Sequence, residues 1–296
     1  MPQFTPPASP ATPRLMDNLV STAWLAARLG EPDLVVIDAS AHLPDAGRNP
    51  RAEFEYSHIP GARFLDLESL KNLDSPVPAA LPTAEQFTAR MAEIGVSNAD
   101  RLVIYDDSAV KTSARAWFIC RMYGVEEVAI LDGGAGKWRA EGRPLERGSS
   151  LSKPGTFTAR SGTGAVRSKT DVLAIVANDA EQLLDARGAG RFTGAEPEPR
   201  PGMPSGHIPG SRNLPFGRML KPDGTFRDDA GLRAAFAEAG IDLEQPVVTT
   251  CGSGVTAAVL LFAMHLLGKH DVALYDGSWS EWGADPATPK ATGPAD

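Results

Sequence analysis

Short apolar runs alternate along the chain with segments of helical periodicity. The runs are rich in Val, Ile, Leu or Thr, contain four or five residues each, and are too short to be helices. A short, continuously apolar run is typical of a strand buried on both faces of a parallel sheet. The pattern therefore predicts an α/β fold with strands at 34–38, 102–106, 182–185 and 247–250.

Local signals mark two helices in the first half of the chain. Thr83 and Gln86 form a capping-box pattern that predicts a helix reaching Ile94, where a glycine follows. A second helix is predicted from Thr112 to Tyr123, again followed by a glycine. Glycine is a common residue just past a helix because it adopts the left-handed conformation without a steric penalty.

The two halves of the chain repeat the same plan. An internal repeat changes the whole interpretation of a fold, and here matching blocks occur in the same order in both halves. In one pair of blocks, Asp106 aligns with Cys251. The matched blocks are 34–38 with 182–185, 58–62 with 207–211, 102–106 with 247–251, and 130–138 with 274–282.

The repeat predicts two domains joined by a linker. A chain of 296 residues suits two domains of ordinary size. The segment between the copies is rich in Ser, Gly, Thr and Lys and shows no periodicity, which favours a surface linker. The predicted organisation is a disordered Pro-rich tail at 1–16, a first domain at 17–146, a linker at 147–167, a second domain at 168–285 and a loose tail at 286–296.

Composition narrows the classes of function. A net charge of −8, with 42% hydrophobic and 22% charged residues, indicates a soluble globular protein. It leaves no broad basic field for nucleic acid or an anionic membrane. No apolar run approaches the roughly 18 residues of a membrane span, and residues 1–16 lack the features of a secretory or transit peptide. Two cysteines, Cys120 and Cys251, argue against a disulfide framework. We therefore expect a cytoplasmic protein.

Cys251 has the sequence context of a reactive thiol. A β-branched run ends at this cysteine, small residues follow, and an apolar helical segment then extends to Leu267. Backbone N–H groups and the positive end of a helix dipole stabilise a thiolate in such a loop. Gly252 and Gly254 are expected to allow a tight turn through positive φ angles. Cys120 lies within a predicted helix among large apolar residues, as a core cysteine does.

The Cys-Gly-Ser-Gly-Val-Thr motif of residues 251–256 resembles the active-site loop of the 3-mercaptopyruvate sulfurtransferases of the rhodanese superfamily. The two His-Ile-Pro-Gly blocks are hallmarks of the same family, and the resemblance covers nearly the whole chain. It implies tandem rhodanese domains, each a parallel sheet flanked by helices. It also implies an inert first copy, because Asp106 stands in place of the cysteine. The histidines of the blocks, His58 and His207, are expected to be structural.

The resemblance implies a sulfur-transfer reaction. The Cys251 thiolate would take sulfur from 3-mercaptopyruvate, release pyruvate and carry a persulfide. The sulfur would then pass to a thiol acceptor such as thioredoxin, or to cyanide. We expect no metal and no cofactor, because the chain has no Cys-x-x-Cys pair and its five histidines lack ligand spacing.

Residues around the cysteine indicate the donor. The loop is uncharged, whereas thiosulfate-using relatives carry Arg and Lys in it, so a donor with its charge elsewhere is favoured. Ser253 and Thr256 are candidates for hydrogen bonds to the donor or persulfide, although Thr256 is equally a helix N-cap. The other candidate donor-binding positions of the loop are Gly252, Gly254 and Val255.

Arginines are the best partners for a donor carboxylate, because their planar forks match its geometry. By resemblance, Arg191 and Arg200 are the family's substrate-carboxylate ligands. Arg187 is a weaker candidate. A stiff Pro-rich loop around Arg200 is expected to hold that residue in place.

One departure from the family concerns the activation of Ser253. In relatives, this serine is proposed to work with a histidine and an acid of the first domain. The histidine position is Ala79 here, and the acid position is Glu68. Glu68 and His58 are the remaining candidates for a base.

Three other functions use a cysteine in a similar loop or fold. A thiosulfate:cyanide sulfurtransferase shares the cysteine chemistry and stays an alternative. A non-catalytic sulfur carrier or regulatory module is a second alternative, from another class. A Cys-loop-Arg phosphatase is excluded, because that chemistry needs an arginine six residues after the cysteine and Ala257 is found there.

Overall fold

Two parallel five-stranded sheets form the computed structural model, which describes residues 16–149 and 153–295. The sheets have the same spatial order of strands, as the repeat predicts. The first sheet contains β1 (Leu19–Val20), β2 (Leu34–Asp38), β3 (Arg63–Phe64), β4 (Arg101–Tyr105) and β5 (Val128–Leu131) in the order β1-β5-β4-β2-β3. The second contains β6 (Ala165–Arg167), β7 (Gln182–Asp185), β8 (Arg212–Asn213), β9 (Val247–Thr250) and β10 (Val272–Tyr275) in the order β6-β10-β9-β7-β8.

Helices flank both sheets and connect the parallel strands. Short 3-10 helices also occur at Pro44–Ala46, Glu68–Leu70 and Phe216–Met219. The α-helices are α1 (Thr22–Ala26), α2 (Pro50–Tyr56), α3 (Ala84–Glu93), α4 (Thr112–Met122), α5 (Gly134–Ala140), α6 (Lys169–Asn178), α7 (Ala189–Thr193), α8 (Asp229–Glu238), α9 (Ala257–Leu266) and α10 (Ser278–Trp282). Within the described part of the chain, none of these helices has the length and apolarity needed to cross a bilayer.

The predicted helix signals are confirmed. The hydroxyl of Thr83 accepts the N–H of Gln86, and the Gln86 side chain accepts the N–H of Thr83, so α3 begins with a complete capping box. The glycines after α3 and α4 both have φ of +81°. These local signals operate within one turn of the chain, which explains why the sequence predicts them well.

The two copies share a hydrophobic core. Helix α4 of the first domain packs against α9 of the second, and Trp117 meets Phe262 edge-on with ring centroids 4.9 Å apart. Cys120 is completely buried in this region, and burial raises the pKa of its thiol to about 12. Each domain also has a separate outer core, built around Trp138 in the first and Trp282 in the second.

The predicted linker is more ordered than its composition indicates. Its last residues, Ala165–Arg167, form β6 and pair with β10, so they belong to the second sheet. Phe157 is buried and packs edge-on against Phe87, with ring centroids 5.5 Å apart. Backbone pairing and one aromatic anchor thus hold the segment against both domains.

The prediction of a loose C-terminal tail is wrong. Ala291 and His207 exchange two backbone hydrogen bonds of 2.8 and 3.0 Å, and the indole N–H of Trp282 donates to the carbonyl of Pro289. Thr288 is buried. The predicted N-terminal tail, 1–16, lies outside the described residues except for Met16, which is buried in the first domain.

Candidate active site

Cys251 lies immediately after β9, at the carboxyl edge of the second sheet, where parallel sheets bind ligands. Its side chain is buried, with the residue 2% exposed. The backbone is held by the first turn of α10. The N–H of Cys251 donates to the hydroxyl of Ser278 at 3.1 Å, and its carbonyl accepts the N–H of Trp279 at 2.9 Å. The next carbonyl, that of Gly252, accepts the N–H of Ser280.

Residues 251–256, termed the Cys251 loop, lead directly into α9. Gly254 has a φ of +77°, as expected, but Gly252 does not adopt a positive φ and that expectation is wrong. Gly252 instead provides room, because a Cβ there would lie 3.2 Å from Nη2 of Arg191. Thr256 is at the N-cap position of α9, but its side chain makes no capping hydrogen bond. Ser253, Val255 and Thr256 are all half-buried.

Arg187 is a structural cation. Its side chain is 1% exposed and forms ion pairs with Asp185 at 2.6 Å and with Glu198 at 2.7 Å. The guanidinium also stacks 4.6 Å from the ring centre of Trp279 in α10. These contacts engage Nε, Nη1, Nη2 and one face of the guanidinium within the fold, which argues against a role of Arg187 in binding the sulfur donor.

Arg191 lies beside the Cys251 loop. Its Nη2 faces Gly252, and its side chain is 28% exposed. Glu198 pairs with it through both carboxylate oxygens, with 3.1 Å between Nε and Oε1. Glu198 is itself 4% exposed and bridges the two arginines, Arg187 and Arg191. No separate sequence signal marks this glutamate, which lies in a Pro-rich loop.

Arg200 is exposed in a turn of the same Pro-rich loop. Its carbonyl accepts the N–H of Met203 at 3.2 Å. Within residues 16–149 and 153–295, no ion pair engages its guanidinium. The loop is anchored close to this point by the ion pairs of Glu198 and by a bond from the Ser205 hydroxyl to the Glu196 carbonyl.

The two histidines of the His-Ile-Pro-Gly blocks make equivalent structural contacts. Nδ1 of His58 lies 2.7 Å from the carbonyl of Phe54, and the two rings stack at 4.1 Å. Nδ1 of His207 lies 2.9 Å from the carbonyl of Phe192, with stacking at 3.8 Å. Both side chains therefore fix a turn against a phenylalanine, and His58 offers no contact to Ser253.

The other residues considered for activating Ser253 are placed differently. Glu68 has an exposed side chain that pairs with Lys71. Ala79 adopts a φ of +59°, which is uncommon for a residue with a Cβ. Its carbonyl accepts a hydrogen bond from Arg115, which also contacts the Cys251 loop. Position 79 is thus near the loop, whereas Glu68 has another partner.

The first copy has a fixed anion where the second has its cysteine. The carboxylate of Asp106 accepts the N–H groups of Ser108 and Ser113, both at 2.9 Å. These bonds leave both N–H groups of the first copy's loop already paired with a side chain. A carboxylate held in this way has no sulfur to transfer, in agreement with an inert first copy.

Ser278 holds the backbone of Cys251 in place, a contact that sequence reasoning missed. It adopts a φ of +49°, and its hydroxyl donates to the carbonyl of Tyr275 while accepting the N–H of Cys251. In the repeat, its counterpart is Gly134, with a φ of +57°. The repeat alignment contained the signal: serine replaces glycine at a left-handed position in the copy that keeps the cysteine.

A cavity of about 540 Å³ opens in the first domain, away from the Cys251 loop. Buried Asp38 lines it, and burial raises the pKa of this carboxyl to about 6. Its two arginines are already paired: Arg48 with Glu53, and Arg139 with Asp107. Among the described residues no group of His, Cys, Asp and Glu side chains has the arrangement of a metal site.

Comparison with known proteins agrees with this architecture. The model of the rhodanese-like domain matches the chain twice, at residues 21–141 and 168–285. A 3-mercaptopyruvate sulfurtransferase of Mus musculus is 41% identical over 278 residues, covering 92% of this chain and 94% of the relative. A mitochondrial thiosulfate/3-mercaptopyruvate sulfurtransferase of Arabidopsis thaliana is 38% identical, covering 92% and 78%.

A solved structure is also similar. The crystal structure of SseA from Escherichia coli, a 3-mercaptopyruvate sulfurtransferase with the rhodanese fold, superposes with a TM-score of 0.81 at 38% identity. It covers 90% of this chain and 100% of the other. The chain therefore belongs to the rhodanese family and is one of its two-domain sulfurtransferases.

Proposed function

We propose that the protein transfers sulfur from 3-mercaptopyruvate through a persulfide on Cys251. The observation that carries the proposal is the position of Arg191, next to an uncharged Cys251 loop. A cation beside the loop suits a donor whose sulfur enters the loop while its carboxylate stays outside. The similarity to proteins named for this donor supports the same choice.

The chemistry follows from the thiolate. The Cys251 thiolate attacks the sulfur of the donor thiol, a sulfur–sulfur bond forms, and the carbon–sulfur bond of the donor breaks. The electron pair stays on carbon as the enolate of pyruvate, which takes a proton from solvent. An acceptor thiolate then attacks the outer sulfur of the persulfide and returns Cys251 to the thiolate form.

In this proposal the loop and the arginines have separate tasks. Arg191, with Arg200 from the Pro-rich loop, binds the donor carboxylate. To do so, Arg191 shares its fork between the ligand and Glu198. The Cys251 loop binds the reacting sulfur through its N–H groups and the hydroxyls of Ser253 and Thr256.

The decisive test compares two donors with one acceptor. We expect higher kcat/KM with 3-mercaptopyruvate than with thiosulfate when cyanide accepts the sulfur. The reverse order would favour the thiosulfate:cyanide alternative, which the Arabidopsis relative named for both donors keeps open. Formation of a persulfide without turnover on either donor would favour the non-catalytic carrier.

A thiol such as thioredoxin is the proposed physiological acceptor, and the cytoplasm is the proposed location. Both cysteines are free in the structure, which suits a reducing compartment. Turnover with reduced thioredoxin in place of cyanide tests the acceptor directly.

A further inference from the structure

Arg115 of the first domain reaches the Cys251 loop of the second. It lies in α4 with a side chain only 7% exposed, and its Nη1 donates to the carbonyl of Gly254 at 3.4 Å. Its Nη2 lies 2.7 Å from Oδ1 of Asp276 and donates to the carbonyl of Ala79 at 3.2 Å. A buried guanidinium thus joins the loop, the turn after β10 and a segment of the first domain.

Asp276 completes this interdomain contact. Its Oδ2 accepts the N–H of Leu81 from the first domain at 2.8 Å. The pair leaves no free space at Gly254. A Cβ there would lie 3.0 Å from Nη1 of Arg115 and 3.0 Å from the carbonyl oxygen of Asp276. The Cys251 loop therefore packs directly against Arg115 and Asp276 at Gly254.

The pseudo-symmetric side of the interface has the same backbone contact without the arginine. Asp132, the counterpart of Asp276 in the repeat, accepts the N–H of Phe226 at 2.8 Å. The position in α9 that matches Arg115 is Leu260. The hydrogen bond between the domains thus needs only the aspartate, whereas the arginine accompanies it only beside the Cys251 loop.

We propose that Arg115, paired with Asp276, is a positioning residue that the inert copy supplies to the catalytic copy. By fixing the Gly254 carbonyl, it orients the N–H groups of the loop toward the sulfur of Cys251. Preorganised N–H groups stabilise an anion only while their peptide planes are held in place. The turnover measurement for this inference rests on the proposed function, whereas the measurement of thiol reactivity does not.

The experiment measures alkylation of Cys251 by iodoacetamide as a function of pH, with mass spectrometry separating it from Cys120. Two variants weaken the pair from either side: Arg115→Lys keeps the charge but loses the planar fork, and Asp276→Asn keeps the shape. Asp132→Asn is the matched control at the pseudo-symmetric contact. Thermal unfolding establishes that each variant is folded.

We expect the pH midpoint of alkylation to rise by about one unit or more in the Arg115 and Asp276 variants. Turnover should fall mainly in kcat, because the donor-binding arginines are intact. The control variant should lose stability at the same interface but keep the parental midpoint. Midpoints unchanged in both folded test variants, or raised equally in the control, would overturn the proposal. Absence of donor turnover in the parent enzyme with altered midpoints in the variants would contradict only the proposed function.

Discussion

At the residue scale, burial does not distinguish the two cysteines, because Cys120 is 0% and Cys251 2% exposed. Their surroundings do. Cys120 faces only the shared core, where burial raises the pKa of its thiol to about 12 and keeps it protonated. Cys251 lies at a strand end, where the backbone is held by Ser278 and Trp279. The two cysteines therefore differ in the backbone that surrounds them rather than in exposure.

Replacing each cysteine by serine tests this assignment. Cys251→Ser should abolish sulfur transfer, because a serine hydroxyl cannot carry the sulfane sulfur. Cys120→Ser should leave most of the activity and lower stability, since it buries a hydroxyl in an apolar region at a cost of about 1–3 kcal/mol. Sulfur transfer and thermal unfolding are measured on both. Equal losses of activity would refute the role of Cys251.

Replacing the arginines tests how the donor is bound. Arg191→Ala removes a partly exposed, charge-assisted contact, for which a loss of about 2 kcal/mol, or roughly 30-fold in kcat/KM, is expected. The loss should be larger for 3-mercaptopyruvate than for thiosulfate, and Arg200→Ala should act in the same direction.

Arg218→Ala is the matched control for these arginines, because Arg218 forms an exposed ion pair with Glu238. It should leave both donors unaffected. An unchanged kcat/KM in the Arg200 variant would contradict a role of that residue in the proposed site. An equal loss for both donors would contradict the binding of the donor carboxylate by Arg191.

Ser253 lacks a base among the residues first considered. His58 is bound to Phe54, and Glu68 is paired with Lys71. Ser253→Ala should therefore remove only a neutral hydrogen bond, worth about 0.5–1.5 kcal/mol or roughly tenfold or less in 3-mercaptopyruvate turnover.

The control for this prediction introduces a histidine at position 79. In the Ala79→His variant, the additional Ser253→Ala substitution should reduce 3-mercaptopyruvate turnover by a larger factor than it does in the parent enzyme. A thousandfold loss from Ser253→Ala in the parent enzyme would instead show that another residue already activates it.

At the element scale, the sequence predicts the helices whose ends are determined by short-range signals. The capping box of α3 and the glycines after α3 and α4 act within a few residues, so these helices were found at nearly their true bounds. Strand β6 falls within the predicted linker because a three-residue strand has no periodicity of its own. It exists because β10 offers a free edge, which is a non-local effect.

The candidate site was predictable to a similar extent. Cys251 and its loop carry a local motif, and Arg191 was reached by resemblance. Glu198 pairs with arginines only 7 and 11 residues away, but no periodic pattern marks it in a Pro-rich loop. Ser278 and Arg115 contact the loop from segments that are 27 and 139 residues away in the sequence. The hydrogen bond from Arg115 to the Gly254 carbonyl crosses the domain interface, so no local pattern marks it.

The charge of the Cys251 loop can be changed to test donor choice. Replacing Gly252 by Arg and Ser253 by Lys should shift preference toward thiosulfate, because a dianionic donor gains two cations near its sulfur. The structure adds that Nη2 of Arg191 lies 3.2 Å from the position of a Cβ at residue 252.

A side chain at position 252 therefore requires the Arg191 guanidinium to shift, and 3-mercaptopyruvate turnover should fall as thiosulfate turnover rises. Ser253→Lys alone avoids this clash and serves as the control, with a smaller shift in the same direction. An unchanged ratio of kcat/KM for the two donors in both variants would mean that loop charge does not set specificity.

At the scale of the whole molecule, each copy is completed by chain outside its sheet. In the first copy, His58 pairs with Glu146 through an antiparallel bridge, and Trp138 donates to the carbonyl of Pro144. In the second, His207 pairs with Ala291, and Trp282 donates to the carbonyl of Pro289. The C-terminal segment thus repeats the role of residues 144–146, which follow α5 in the first copy.

Deleting residues 287–296 tests this role. The deletion leaves the indole N–H of Trp282 and both backbone groups of His207 without their partners, and unpaired groups of this kind cost about 1–3 kcal/mol each when water cannot replace the partner. His207 also stacks on Phe192, the neighbour of Arg191, so affinity for the sulfur donor should fall together with stability.

Deleting only residues 294–296 is the control, because it keeps the bond from the N–H of Gly293 to the carbonyl of Thr193. Chemical unfolding should show a lower free energy of unfolding for the long deletion and an unchanged value for the short one. Equal stability of the two deletion variants would mean that these contacts of the segment contribute little to the free energy of unfolding.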